Sequence, residues 1–197
     1  MMRSHLPLIE QVKSARLRRD HFEFKPTWEC MEEYYVALIQ SFGPSSEHLP
    51  TLRRLVSGMN LPRVVELGTH HGNSAFALMM GKPDSMACVD IMPCKYIDDL
   101  LRLASLTEVK FEFHQKDSRD ADAFMGPVDL LYVDSEHTYD LVKAELQVHK
   151  SKCRRYIVFH DTVTTPEIVP AIEEELTDFN LVEEYQNGHG LQVWERR

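Results

Sequence analysis

The chain has 197 residues, 43% of them hydrophobic and 27% charged, the composition of a folded globular domain with a full core and a modest extension. Its net charge of -9 argues against a nucleic-acid or anionic-membrane surface, and Arg16, Arg18 and Arg19 make only a small basic patch, read as a solvated helix face. No stretch reaches the ~20 apolar residues of a membrane span. No secretory pattern is expected in Met1 to Lys13. Cys30, Cys88, Cys94 and Cys153 lack Cys-x-x-Cys spacing, so reduced thiols in a cytoplasmic protein are expected rather than a zinc or redox pair.

Residues 1–60 read as a helical extension. Met31, Tyr34, Tyr35, Leu38 and Ile39 recur at helical spacing between Trp28 and Phe42. Gly43-Pro44-Ser45-Ser46 breaks that helix, and a second helix is expected over Leu49–Met59. From Arg63 the pattern alternates. Strands are expected at Arg63–Leu67, Met86–Ile91, Val109–Phe113, Val128–Val133 and Tyr156–His160, with helices at Ser74–Met80, Lys95–Ala104 and Tyr139–His149. Such alternation predicts a parallel sheet covered by helices on both faces. Thr165-Pro166-Glu167 reads as the start of a further helix running to about Thr177. Asn187-Gly188 between Leu181–Tyr185 and Leu191–Trp194 reads as the turn of an antiparallel hairpin. The expected fold is a doubly wound, Rossmann-like α/β domain over residues 61–197, with a seven-stranded, mostly parallel sheet ending in an antiparallel hairpin.

The chemistry gathers at the ends of the strands. The run Val64-Val65-Glu66-Leu67-Gly68-Thr69-His70-His71-Gly72-Asn73-Ser74 is a buried strand leading into a glycine turn and a helix start, where an α/β protein holds a nucleotide-like ligand. Ser74 is placed to cap the helix, whose first amides face the crevice. The spacing is not the Gly-x-Gly-x-x-Gly of a dinucleotide site. Asp90 lies at the distance expected of an acid that binds ribose hydroxyls, although Asp at a strand end also forms turns. Asp134 and Asp161 end neighbouring strands, and two adjacent carboxylates favour an oxygen-liking divalent cation between them. His160 and His137 stand beside them as a metal ligand or general base; the alternative is that His160 points into the sheet and Asp161 caps a loop. His70 and His71 are expected to point apart.

Taken together, Glu-x-Gly-x-x-x-Gly-x-Ser, an acidic strand end, Asp-Ser, Asp-x-x-His-x-Tyr and Ile-Val-x-His-Asp-Thr resemble the class I S-adenosylmethionine-dependent methyltransferases. The nearest branch is the small O-methyltransferases, with catechol, caffeoyl-coenzyme A, macrocin-type and cephalosporin hydroxylase-like relatives. The resemblance spans about Arg63 to Trp194. It implies that Glu66, Gly68, Thr69 and Gly72, with Ser74, hold the methionine part of S-adenosylmethionine. It implies that Asp90 holds the ribose, and that Ile91, Asp117 and Ser118 border the adenine. Asp134 would border both cofactor and metal, Asp134, His160 and Asp161 would hold a divalent cation, most simply magnesium, and His137 would be the general base with His160 as fallback. Two departures stand out. His160-Asp161 replaces the usual acid–acid or acid–amide pair, and Cys153-Arg154-Arg155 replaces a Pro-Gly-Gly turn.

The expected activity is O-methylation of a small-molecule hydroxyl, metal-assisted. The alternatives are a non-catalytic methyltransferase-like binding domain and a nicotinamide-dependent oxidoreductase. A methyl transfer requires positioning and exclusion of water, and some of Phe22, Phe24, Trp28, Tyr34 and Tyr35 could serve as an aromatic lid, with core packing the plainer reading. The expected partner is a small-molecule acceptor, with neither nucleic acid nor membrane; association into a homo-oligomer is left open.

Overall fold

Strands and helices alternate from Arg63 onward in the structure, a computed structural model that describes residues 32, 33, 35, 36 and 47–197. Of the helix expected over Trp28–Phe42, those four residues are helical. Its remainder, Cys30, the arginines at 16, 18 and 19, and Phe22, Phe24, Trp28 and Tyr34 lie outside the described residues. The elements are α1 (Leu49–Ser57), β1 (Arg63–Leu67), α2 (Asn73–Met80), β2 (Ser85–Asp90), α3 (Ile97–Thr107), β3 (Lys110–Gln115), β4 (Val128–Val133), α4 (Tyr139–His149), β5 (Cys153–His160), α5 (Ile168–Glu175), β6 (Phe179–Tyr185) and β7 (Leu191–Arg196). None of the described helices is long and apolar enough to cross a membrane.

The seven strands form one sheet in the order β3-β2-β1-β4-β5-β7-β6. β1 to β5 pair in parallel, and β7 runs antiparallel to both β5 and β6. β7 is therefore the reversed strand, and β6 at the edge runs in the sense of β1. Side chains alternate across the sheet with the two-residue period of a strand. On one face Val64, Met86, Leu130, Tyr132 and Val158 pack against Leu52, Val56, Phe76, Leu100 and Leu103 of α1, α2 and α3. On the other, Val65, Leu131, Ile157 and Phe159 pack against Val142, Leu146, Ile168 and Ile172 of α4 and α5. Burial on both faces explains why these strands read as nearly continuous apolar runs. Tyr35 is buried in the first cluster, with the Arg53 guanidinium over its ring, so of the five aromatic residues this one packs the core.

Two sequence expectations are corrected. Cys153-Arg154-Arg155 is not a turn: Cys153 begins β5 and pairs with Val128. The helix expected from Thr165 begins at Ile168. The segment before it is used otherwise, since Val163 N and Thr164 N donate to His189 O and Thr165 N donates to Asp161 O. Those bonds dock the β6–β7 turn onto the loop after β5. At Gly190 (φ +87°) an added Cβ would lie 2.5 Å from Val163 N.

The chain leaves β1 toward β2 on one side while β4 lies on the other, so β1 and β4 flank the topological switch point where ligands of such sheets bind. Here the backbone packs without intervening side chains. Gly68 has φ +85°, and a Cβ on it would lie 2.1 Å from Asp134 O. Gly68→Ala is therefore expected to destabilise the fold by at least ~2 kcal/mol, because strain in φ and overlap with backbone act together. Urea denaturation measures this; a loss below ~0.5 kcal/mol, the range of an inert surface change, would contradict the packing.

Candidate functional site

A cavity of about 390 Å³ opens at the carboxyl ends of β1, β4 and β5. One wall is the glycine turn from Gly68 to Ser74; another is Asp134, Ser135 and His137 after β4; a third is His160, Asp161 and His189; Leu49 and Leu52 of α1 line the remainder with His48.

The glycine turn is held from below and from the side. Ser74 does not cap α2: Gly72, at φ +84°, occupies that position without a side-chain bond. Ser74 Oγ instead donates to Glu66 Oε1 at 2.5 Å, and Cys88 Sγ donates to Glu66 Oε2 at 3.2 Å. Glu66 is fully buried, between its register neighbours Cys88 on β2 and Tyr132 on β4, and does not line the cavity. Asp90 latches the same turn. Its Oδ2 accepts from Thr69 N and His70 N, both at 2.8 Å, and its Oδ1 accepts from Met92 N at 2.8 Å. Each carboxylate oxygen has two lone pairs, so Oδ1 keeps one acceptor position. His70 takes a positive φ of 45°, and the rings of His70 and His71 lie edge to face at 3.8 Å, contrary to the expectation that they point apart. Thr69 and Ser135 both line the cavity, with the Thr69 hydroxyl beside the Glu66 carboxyl and the Ser135 hydroxyl beside that of Glu145.

The loop after β3 lies apart from the cavity lining. Asp117 forms an ion pair with Arg119 at 2.6 Å, and Ile91 is exposed. His149 Nε2 donates to Ser118 O at 2.6 Å while Lys152 Nζ donates to His149 Nδ1 at 3.2 Å, a pattern that fixes the tautomer. Burial, then the nearby Lys152 charge, pushes the His149 pKa down to about 4 despite the bond to Ser118, so it is a neutral strut under this loop.

The acidic end is a paired cluster. His137 Nε2 lies 2.9 Å from Asp161 Oδ2 and 3.2 Å from Asp134 Oδ1. His160 Nδ1 lies 3.0 Å from Asp161 Oδ2 and 3.4 Å from Asp134 Oδ1. The opposite oxygens are also engaged: Tyr132 Oη donates to Asp134 Oδ2 at 3.1 Å, Thr164 Oγ1 donates to Asp161 Oδ1 at 2.6 Å, and His189 Nδ1 is 3.4 Å from Asp161 Oδ1. Asp161 has a left-handed φ of 60°, a conformation Asp tolerates better than most residues and one that concentrates at functional sites. Burial opposes charge on both rings, but the hydrogen bonds that they donate to the two carboxylates outweigh it, pushing His137 up to about 10 and His160 up to about 9. Burial likewise opposes the Asp161 carboxylate, yet His137, His160 and Thr164 hold it far below its ordinary range. Both imidazoles are thus cations near neutral pH.

Sequence reasoning placed Asp134, His137, His160 and Asp161 on one rim, and the structure brings them together. It missed His189, Thr164, Tyr132 and His48. The residue pattern did hold a clue to His189: Gly188-His189-Gly190 places a histidine between two glycines in the hairpin turn, which had been read for topology alone. His48, buried with its ring 5.6 Å from His160, had no such clue.

The family model described as a methyltransferase domain matches residues 65–162, the span from β1 to the end of β5. The match covers just under half of the chain. No curated protein matches the chain in sequence. Among solved structures, the O-methyltransferase from Bacillus cereus in complex with SAH is 14% identical, with a TM-score of 0.60 over 96% of this chain and 100% of that one. A TDP-rhamnose 3'-O-methyltransferase of calicheamicin biosynthesis is 16% identical, with a TM-score of 0.60 over 100% of this chain and 96% of that one. The N-methyltransferase NodS from Bradyrhizobium japonicum is 15% identical, with a TM-score of 0.57 over 80% and 98%. At such identities the likeness is one of fold, shared by proteins named for different acceptors. The matched span holds the glycine turn, Asp90, Asp134, His137, His160 and Asp161; the chain on either side of it contributes His48, Leu49, Leu52, Thr164 and His189.

Burial raises the Glu66 carboxyl to about 7 against the opposing bonds from Ser74 and Cys88. In the unfolded chain it titrates near 4.5. Between these values the folded state holds a proton that the unfolded state has lost, so this group's contribution to stability is full below the lower value and is lost as pH rises through the higher one. Glu66→Gln should remove that dependence. From pH 5 to pH 8 the wild type should lose on the order of 2–3 kcal/mol relative to the variant, measured by urea denaturation at each pH. Parallel stability profiles would contradict the buried, protonated carboxyl.

Proposed function

We propose that the chain transfers a methyl group from S-adenosylmethionine to a hydroxyl of a small-molecule acceptor. The observation that carries this reading is the continuity of the cavity. It joins the glycine turn after β1 to the two ionised carboxylates after β4 and β5, so a donor at the first and an acceptor at the second would meet.

The chain fits the cofactor at specific atoms. Thr69, Ser135 and the first residues of α2, Asn73 and Ser74, line the cavity, and Asp90 Oδ1 retains an acceptor position for a ribose hydroxyl. S-adenosylmethionine, when bound, supplies an electrophilic methyl group on a sulfonium. The protein's part is then to align the two reactants and keep water out. Leu49 and Leu52 provide an apolar wall for the acceptor, and Asp134 Oδ2, which keeps one acceptor position beside the bond from Tyr132 Oη, accepts its O–H, aims an oxygen lone pair at the donor side and takes the proton as the S–CH3 bond breaks and the O–CH3 bond forms. His137 and His160 hold their protons at Nε2 and Nδ1, fix both carboxylates and neutralise them. The rim thus lacks the surplus negative charge that would favour an ammonium, which supports a neutral hydroxyl over an amine. The same donors fit a divalent cation held by Asp134 and Asp161, whose chemistry would be to lower the pKa of the hydroxyl and fix its orientation.

Two variants separate binding from chemistry. Asp90→Ala removes a charged acceptor, worth ~1.5–3 kcal/mol, and should weaken S-adenosylhomocysteine binding by roughly tenfold to a hundredfold in calorimetry. Asp161→Asn should leave that affinity nearly unchanged while cutting turnover roughly a hundredfold, the cost of a misplaced acceptor. The readout is S-adenosylhomocysteine release over a panel of phenolic, sugar and amine acceptors. Turnover with amines and with no hydroxyl compound would overturn the acceptor assignment.

A further inference from the structure

Two strand-end aspartates are each followed by a serine, Asp117-Ser118 after β3 and Asp134-Ser135 after β4, and both serines meet one buried side chain. Glu145 of α4 is fully buried, with the hydroxyls of Ser118 and Ser135 beside its carboxyl. It does not line the cavity. A carboxyl withdrawn from water costs stability unless its partners compensate. Here burial, the largest influence, lifts it to about 7 against the bonds from the two serines. On the acid side of neutrality it is therefore uncharged, with one O–H to donate and oxygens to accept.

Glu145 is one of three groups on a single face of α4 and the turn after it. Residues 145, 149 and 152 follow the three-to-four-residue spacing of one helical stripe, and all three hold the loop between β3 and β4. His149 Nε2 donates to Ser118 O at 2.6 Å, and its ring stacks on Phe124 at 4.6 Å. Lys152 Nζ donates to Ala121 O at 2.7 Å and to Phe124 O at 3.2 Å. The start of the same loop is fastened to the Asp90 turn: Lys116 N donates to Asp90 O at 3.0 Å, and Gln115 Nε2 donates to Ile91 O at 3.1 Å. The loop therefore runs from the Asp90 turn to Glu145, and Ser135, the second neighbour of Glu145, lines the cavity.

We propose that Glu145 is a positioning residue for the cofactor: through Ser118 and Ser135 it ties the loop after β3 to the β4 wall of the cavity, so that the Asp90 end and the Ser135 end of the crevice are held as one unit. What the tie needs is hydrogen bonding rather than charge. A glutamine, with a donor and an acceptor at the same places, reproduces the neutral acid. A leucine fills the space and makes neither bond. The inference rests on the methyl-transfer reading only for the identity of the ligand, since the tie is a property of the free protein.

The test compares Glu145→Leu with Glu145→Gln in the full chain near pH 6, with near-ultraviolet circular dichroism to check that each variant is folded. Without ligand, amide hydrogen exchange over residues 116–124 and 135–137 should quicken roughly tenfold or more in Glu145→Leu and stay within about threefold of the wild type in Glu145→Gln. Calorimetric titration with S-adenosylhomocysteine should show roughly tenfold weaker binding in Glu145→Leu and near wild-type affinity in Glu145→Gln. Ser118→Ala, which leaves the cavity lining intact, should weaken binding in the wild type and add nothing in the Glu145→Leu background, because both changes break the same tie. Should the leucine variant not fold, Ser118→Ala alone reads the tie, and unchanged exchange and affinity in it overturn the proposal. Unchanged exchange or unchanged affinity in a folded Glu145→Leu protein overturns it as well, as do equal losses in the leucine and glutamine variants. A wild-type chain that binds no S-adenosylhomocysteine refutes the methyl-transfer reading, and the exchange comparison still decides the tie.

Discussion

The backbone after β4 lies directly against the turn after β1, and the rest of the site depends on that approach. Only glycine fits at position 68, because any Cβ there would overlap the Asp134 carbonyl. The contact is reinforced by Asp134 N donating to Leu67 O at 2.8 Å. With β1 and β4 seated this closely, one cavity is bounded by the glycine turn on one side and by Asp134 on the other. A larger residue at 68 would separate these two walls and divide the cavity at the switch point.

From that seat the charges organise themselves. Parallel pairing of β4 with β5, in which Val133 is opposite Phe159, sets Asp134 level with His160, and the left-handed turn at Asp161 brings the second carboxylate to the same pair of rings. Two carboxylates in a half-buried place repel, and the structure offsets this with His137 and His160 rather than leaving the pair bare. Hydroxyls from Tyr132 and Thr164 then complete the shell. Each compensating group comes from a different segment, and the hairpin turn reaches the cluster because Gly190 packs against Val163 without a side chain.

The fold was largely legible in the residues because the strands are buried on both faces and punctuated by turns. Arg63–Leu67, Val128–Val133 and Tyr139–His149 have the bounds that periodicity predicts. The misplaced starts, Cys153 for β5 and Ile168 for α5, arose where long-range bonds overrode local cues: strand pairing with Val128 in one case, and the anchoring of residues 163–165 in the other. The rim of Asp134, His137, His160 and Asp161 was legible because all four follow strand ends. The pairing of each histidine with both aspartates was not, since it depends on the β4–β5 register and on the left-handed turn at Asp161. Nor was the use of Asp90 and Ser74 within the protein, which needs the three-dimensional closeness of the glycine turn to β2 and to Glu66.

The central claim is that the crevice beside Gly68 takes S-adenosylmethionine rather than a dinucleotide. Calorimetric titration of the tag-free chain with S-adenosylhomocysteine and with NAD, side by side in one buffer, tests it most directly. The account predicts saturable one-to-one binding of S-adenosylhomocysteine and no heat of binding with NAD. Saturable binding of NAD with none of S-adenosylhomocysteine would contradict it.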